Sequence, residues 1–196
     1  AARFYAMGKS KEMSETVHTS ITLAMVSGVI MAFVGVLFAR GALELMGTPD
    51  DVLPLAALYL KIYFIGMPAT LTYNFGAAIL RAVGDTRRPL YFLLFAGAVN
   101  VVLNLVFVIV FSMGVAGVAT ATVVSECISA VLIVQCLARS DSAYRLCREK
   151  MRITESKVKQ IMKIGLPAGF QGAIFSVSNV LIQSSINSFG SIPMAG

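Results

Sequence analysis

Asn100 and Asn104 stand four residues apart in an otherwise apolar stretch, and Glu126 is the carboxylate set deep in another. On a helix the two asparagines share a face. Each amide offers two donors and an acceptor, so the pair can ligate a cation through oxygen, accept a proton-linked partner, or bind a neighbouring helix. Glu126 follows Thr122 by one helical turn. A carboxylate in such a place suits coupling to a proton or a sodium ion; the alternative is a neutral acid that makes one structural hydrogen bond. Gly172, Ser176, Asn179, Gln183 and Asn187 recur at spacings of four, three, four and four. A stripe of that polarity is costly against lipid, so it faces another helix or water. Tyr59, Tyr63, Gly66, Thr70 and Tyr73 form a further helical face. It reads either as interfacial aromatics with ordinary packing or as the lining of a cavity.

No reactive constellation accompanies these groups. The sequence holds no HExxH, no GxSxG, no paired aspartates at metal spacing and no P-loop. Cys127, Cys136 and Cys147 with the single His18 lack zinc-ligand spacing and give no disulfide framework. Residues that bind without reacting, on several helices, point to passage of a solute, with neither an enzyme nor a cofactor expected.

The elements that position them must be membrane helices. Of 196 residues, 57% are hydrophobic and only 13% charged, and the mean hydropathy is +0.81. An ordinary soluble domain carries about a quarter charged residues. A soluble helical domain would also need polar faces, and residues 19–39 offer almost none. Residues 1–17 are polar with mixed charge, and the first apolar run is too long for a cleaved signal peptide. The fold class is therefore all-α and polytopic, with spans expected at about 19–39, 54–80, 90–111, 115–137 and 161–186.

The net charge of +6 is a topology signal. Fourteen of the sixteen Lys and Arg fall in residues 1–17, 81–88 and 139–163, leaving only Arg40 and Lys61 elsewhere. Positive loops stay on the cytoplasmic side, so residues 1–17, 81–88 and 139–160 are placed there, with attraction to anionic lipid as a secondary effect and no nucleic-acid partner. In the turn Arg81–Pro89, Gly84 supplies a positive φ, Asp85 and Thr86 bond nearby backbone, and Pro89 starts the next helix. Thr48-Pro49-Asp50-Asp51 reads as a helix start. A helix from there to Leu80 would be about 45 Å long against a ~30 Å core, so a bend is expected at Pro68, just after Gly66. Ser112-Met113-Gly114 makes a tight hairpin, and Gly117, Ala121, Ser125 and Ser129 form a small-residue stripe for close packing. His18 reads as interfacial and solvated. Five spans put the two ends on opposite sides, and the lack of a starting Met and of a polar tail reads as a piece of a longer chain.

Taken together, Arg81-Ala-x-Gly-Asp-Thr-x-x-Pro89, Asn100-x3-Asn104 and Gly114-x-x-Gly117 with Ala121-Thr122 and Ser125 resemble the multidrug and toxic compound extrusion (MATE) family. Tyr59-Leu-x-Ile-Tyr-Phe-x-Gly66 and Gly165-Leu-Pro167 with Asn179 agree. The resemblance implies the third to seventh of twelve helices: residues 1–138 in an N-terminal six-helix lobe, 139–160 as the cytoplasmic link and 161–196 opening the second lobe. It implies export of organic cations in exchange for sodium ions or protons across a bacterial plasma membrane, with the remaining helices of the same transporter as partners. In one branch of the family, an Asn and an Asp four apart on the fifth helix join a Thr on the sixth and an Asp on the first. Asn100 matches that Asn and Thr122 that Thr, while Asn104 stands where the Asp would be. In another branch a glutamate on the seventh helix binds sodium, and Ser176 is near its position. Glu126 is our own candidate for the missing charge. A lipid-linked saccharide flippase of the same superfamily would need cationic groups deep in the spans, where Lys61 is the nearest; a non-transporting scaffold would not need the polar stripes.

Overall fold

Apolar runs punctuated by Gly, Pro and charge become seven α-helices among the described residues, with no strand. The computed structural model describes residues 1–45 and 50–188, with the side chains at 148, 180, 181 and 183–188 outside the description. The chain divides into two compact units, Ala1–Thr154 and Glu155–Gly196.

In the first unit a short α1 (Ala2–Ala6) leads into α2 (Ser10–Leu45). With 36 residues, α2 is about 54 Å long, well beyond a ~30 Å hydrocarbon core. The helices α3 (Leu53–Ile65) and α4 (Met67–Ala82) form one rod bent by 48° at a break. Pro68 has no N–H to give the preceding turn, so the ladder fails beside it and Gly66 becomes the joint. The Thr48-Pro49 start signal lies outside the described residues; α3 begins at Leu53 with Pro54 in its first turn.

Next, α5 (Arg87–Leu105) runs into a π-helical turn, Val106–Val110, and α6 (Gly114–Ala138) returns beside it. The reversal is tight because Ser112 and Gly114 both adopt left-handed backbone, at φ 52° and 54°. At the opposite end, Gly84 at φ 91° lets Asp85 N–H donate to Leu80 O at 2.9 Å. The Asp85 carboxylate then accepts from Arg88 N–H at 3.2 Å. This helix therefore starts at Arg87, and Pro89 sits within its first turn, where no N–H partner is needed.

Helix α6 is the hub. It packs on α3, α4 and α5, while α2 packs on α3 and α4. Its stripe of Gly117, Ala121, Ser125 and Ser129 is buried throughout. Gly28 serves the other close crossing: an added Cβ would lie 2.5 Å from the Pro68 Cα. Large apolar side chains point outward instead, with Phe33 71% and Ile109 69% exposed. Small residues between helices and large ones outside are what lipid, rather than water, selects. Among the described residues three helices are long and apolar enough to cross a membrane, and the bent pair makes a fourth.

His18 differs from its expected solvated place: it is only 2% exposed. Its Nδ1 bonds to the Ser14 carbonyl at 2.7 Å and must donate, because that oxygen can only accept. Its Nε2 accepts from Cys147 N–H at 2.9 Å. Beside it, Thr19 Oγ1 donates to Arg152 O at 3.4 Å and accepts from Thr154 N–H at 3.2 Å. The polar end of α2 is thus covered by the segment 139–154, which lone-residue reasoning missed.

The second unit holds α7 (Glu155–Ser188), 34 residues with Pro167 inside.

Candidate functional site

Two polar groups meet on α6. On its α5 side, Asn104 Nδ2 donates to Asn100 Oδ1 at 3.0 Å. Asn100 Nδ2 in turn donates to Ser125 Oγ at 3.3 Å and reaches Thr122 Oγ1 at 3.5 Å. Ser125 Oγ passes its hydrogen to Thr122 O at 2.8 Å. Every hydrogen in this chain points the same way, from α5 toward the α6 backbone, so the bonds polarise one another. Its beginning is an acceptor: Asn104 Oδ1 is buried and has no hydrogen-bond partner among the described residues. A buried acceptor left open is costly, and a donor or a cation would relieve it.

The second group lies on the α3–α4 side. Thr70 Oγ1 donates to Glu126 Oε2, and also lies 3.2 Å from Gly66 O. Gly66 makes room, since an added Cβ would stand 2.9 Å from Val123 Cγ2 and 3.2 Å from Glu126 Oε2. Tyr63 lies within reach of the Glu126 charge and stacks on Tyr59, ring centroids 6.3 Å apart. Thr122 and Glu126 are four apart on α6, so one helix face joins the two groups. Asn100, Asn104, Thr122 and Glu126 are all half-buried.

Other sequence-derived candidates sit elsewhere. The Tyr73 hydroxyl donates to Pro89 O at 2.7 Å, tying α4 to the start of α5. Asn179 is exposed on α7, and the Gln183 side chain lies outside the description. Sequence reasoning gave Ser125 to packing alone; its hydroxyl within a small-residue stripe was the available signal for the bond to Asn100. It also did not find the apolar cleft of about 550 Å³ between α2, α4 and α6, lined by Ile21, Met25, Thr72, Cys127 and Val131 among others. None of the polar candidates lines that cleft.

The profile of the family described as MatE matches residues 1–106. The chain is 32% identical over 186 residues to the probable multidrug resistance protein YpnP of Bacillus subtilis (strain 168), covering 95% of this chain and 41% of that protein. It is 26% identical over 194 residues to the probable multidrug resistance protein YoeA of the same organism, covering 95% and 42%. The chain thus spans about two fifths of the length of these relatives. A solved outward-facing multidrug resistance MATE family transporter of the MOP superfamily shares the fold, with a TM-score of 0.84, 22% identity, and coverage of 93% of this chain and 41% of that one.

Proposed function

Because the chain belongs to the MatE family, a family of transporters rather than enzymes, we propose that it supplies part of a secondary active antiporter exporting organic cations or drugs. The exchanged ion is sodium or a proton, bound through Asn100, Asn104, Thr122 and Glu126. Tyr63 lines the approach to this site, and Asn179 and Gln183 are candidates for the cavity of the second lobe. Residues 1–138 act within an N-terminal six-helix lobe, 139–160 link the lobes, and 161–196 begin the second. Residues 1–17, 81–88 and 139–160 face the cytoplasm of a bacterial plasma membrane.

The observation that carries this reading is the open acceptor of Asn104 at the head of a hydrogen-bond chain that reaches Thr122, on the same α6 face as Glu126. Alternating access needs two lobes moving about a site at their interface, so the activity belongs to the full-length protein. No Lys or Arg lies deep in the spans, with Lys61 the nearest, which favours cationic cargo over a pyrophosphate.

The test is efflux of a cationic dye from proteoliposomes holding the full-length protein, under an imposed sodium or proton gradient. Export that follows one gradient and collapses with it is the expected result. Dye movement indifferent to both gradients would overturn the antiporter reading.

A further inference from the structure

The hydroxyls of Thr122 and Ser125 are both committed to their own helix. Thr122 Oγ1 donates to Val118 O at 3.0 Å, and Ser125 Oγ donates to Thr122 O at 2.8 Å. A carbonyl oxygen can only accept, so each hydroxyl spends its one hydrogen there and presents lone pairs to α5. Asn100 meets lone pairs only with its NH2 end, and its Nδ2 stands 3.3 Å from Ser125 Oγ and 3.5 Å from Thr122 Oγ1. Its oxygen is then on the other side, where Oδ1 accepts from Asn104 Nδ2 at 3.0 Å. The same step repeats at Asn104, whose nitrogen is engaged and whose Oδ1 is left as the buried open acceptor. Reversing either amide, or both, would set two acceptors face to face, which leaves buried polar groups unpaired at a cost.

We propose that Ser125 is a positioning residue for the exchanged ion: its hydroxyl, spent on Thr122 O, fixes the polarity of the Asn100–Asn104 pair so that the pair offers an oxygen and selects a cation. Ser125 touches no ion itself and acts through Asn100. Of the two α6 hydroxyls it is the nearer to that amide, and it is buried, at 6% exposed. Amide side chains are not among the titrating groups of a protein. Asn104 Oδ1 therefore takes a metal cation rather than a proton, and sodium is the ion of that kind in the antiporter reading. The inference deepens that reading and rests on it only in taking the open oxygen as part of the ion's site.

Ser129, one turn further along the same stripe, supplies the internal comparison. It is equally buried, and its hydroxyl donates to Glu126 O at 2.8 Å, the same bond back to its own helix. Among the described residues no α5 amide is bonded to it. Two serines of one stripe thus make the same local bond, and only Ser125 passes its effect to another helix.

The test is binding of radioactive sodium to the full-length protein in lipid nanodiscs, with gradient-driven dye export and Tm read on the same samples. Ser125→Ala keeps the small packing volume and removes only the oxygen. It should raise the sodium Kd about fivefold, the effect of losing roughly one net hydrogen bond, while export at saturating sodium is retained. Ser129→Ala should leave the Kd unchanged. Because Ser125 works through the open oxygen, Ser125→Ala should add nothing to Asn104→Ala, whereas independent effects would multiply. A Kd unmoved by Ser125→Ala, an equal shift from Ser129→Ala, multiplied effects in the double variant, or no sodium binding by the unaltered protein overturns the inference. Sodium binding that meets every expectation without gradient-driven export sinks the antiporter reading and leaves the role of Ser125 standing.

Discussion

At the scale of single residues, the contacts divide groups that are closed from groups that are open. Thr122 and Ser125 both pass their hydrogens to α6 carbonyls, whereas Asn104 Oδ1 receives none. Asn104→Ala should therefore weaken ion coupling about tenfold, as expected when a buried hydrogen-bonding group worth ~1.5 kcal/mol is removed. Ala121→Ser, a change on a buried packing position, should move coupling far less; equal effects in efflux titrations would favour a packing role for both. Glu126→Gln should lower gradient-driven export by roughly tenfold or more while membrane insertion, read by immunoblot, stays unchanged, because it removes the carboxylate that can carry a negative charge there. Unaltered transport across sodium and pH titrations would remove Glu126 from the mechanism. The identities of Asn100, Asn104, Thr122 and Glu126 were legible as polar atoms in apolar runs. The direction of their hydrogen bonds was not, because a sequence does not say which neighbour completes an amide.

Among the helices, close approach depends on glycines whose neighbours are backbone. Gly28 meets Pro68 of α4, while Gly97 of α5 has nothing within 4 Å of an added Cβ. Gly28→Ala should then destabilise by about 1–3 kcal/mol through overpacking, and Gly97→Ala should be neutral or slightly stabilising through backbone entropy. Thermal unfolding in detergent would show a lower Tm for the first and not the second; matched shifts would mean that the α2–α4 crossing is not a tight one. The bend near Pro68 was readable from proline chemistry and from a rod too long for the bilayer. That α6 would be the shared partner of α3, α4 and α5 was not, since several apolar faces in this chain would satisfy a helix equally well.

Over the whole first unit, the segment 139–154 is held to the protruding end of α2 through His18 and Thr19. Leu146 is buried there, and its N–H donates to Leu137 O at 3.0 Å. His18→Ala should free this segment, so that trypsin cuts after Lys150 about fivefold faster, the effect expected from losing roughly one hydrogen bond to the backbone. Unchanged cleavage would show that Leu146 and Thr19 suffice to hold it. On the orientation argued from charge, Cys147 should react with a membrane-impermeant maleimide only after cells are permeabilised. Labelling of intact cells would invert the topology.

Composition by itself determined that this chain is a set of membrane helices, because hydrocarbon excludes charge wherever the chain happens to fold. The local order of glycines, prolines and polar residues likewise determined where the rods stop and bend, since those are properties of a few adjacent residues. Only the tertiary structure decided that Asn104 ends in an unfilled acceptor, that Thr70 stands between a carboxylate and a broken helix, and that His18 is buried beneath Cys147. The last two of these join positions far apart in the chain, Thr70 and Glu126 by 56 residues and His18 and Cys147 by 129. Contacts of that separation depend on which faces pack, and packing in lipid is chosen by shape rather than by any pattern written along one helix.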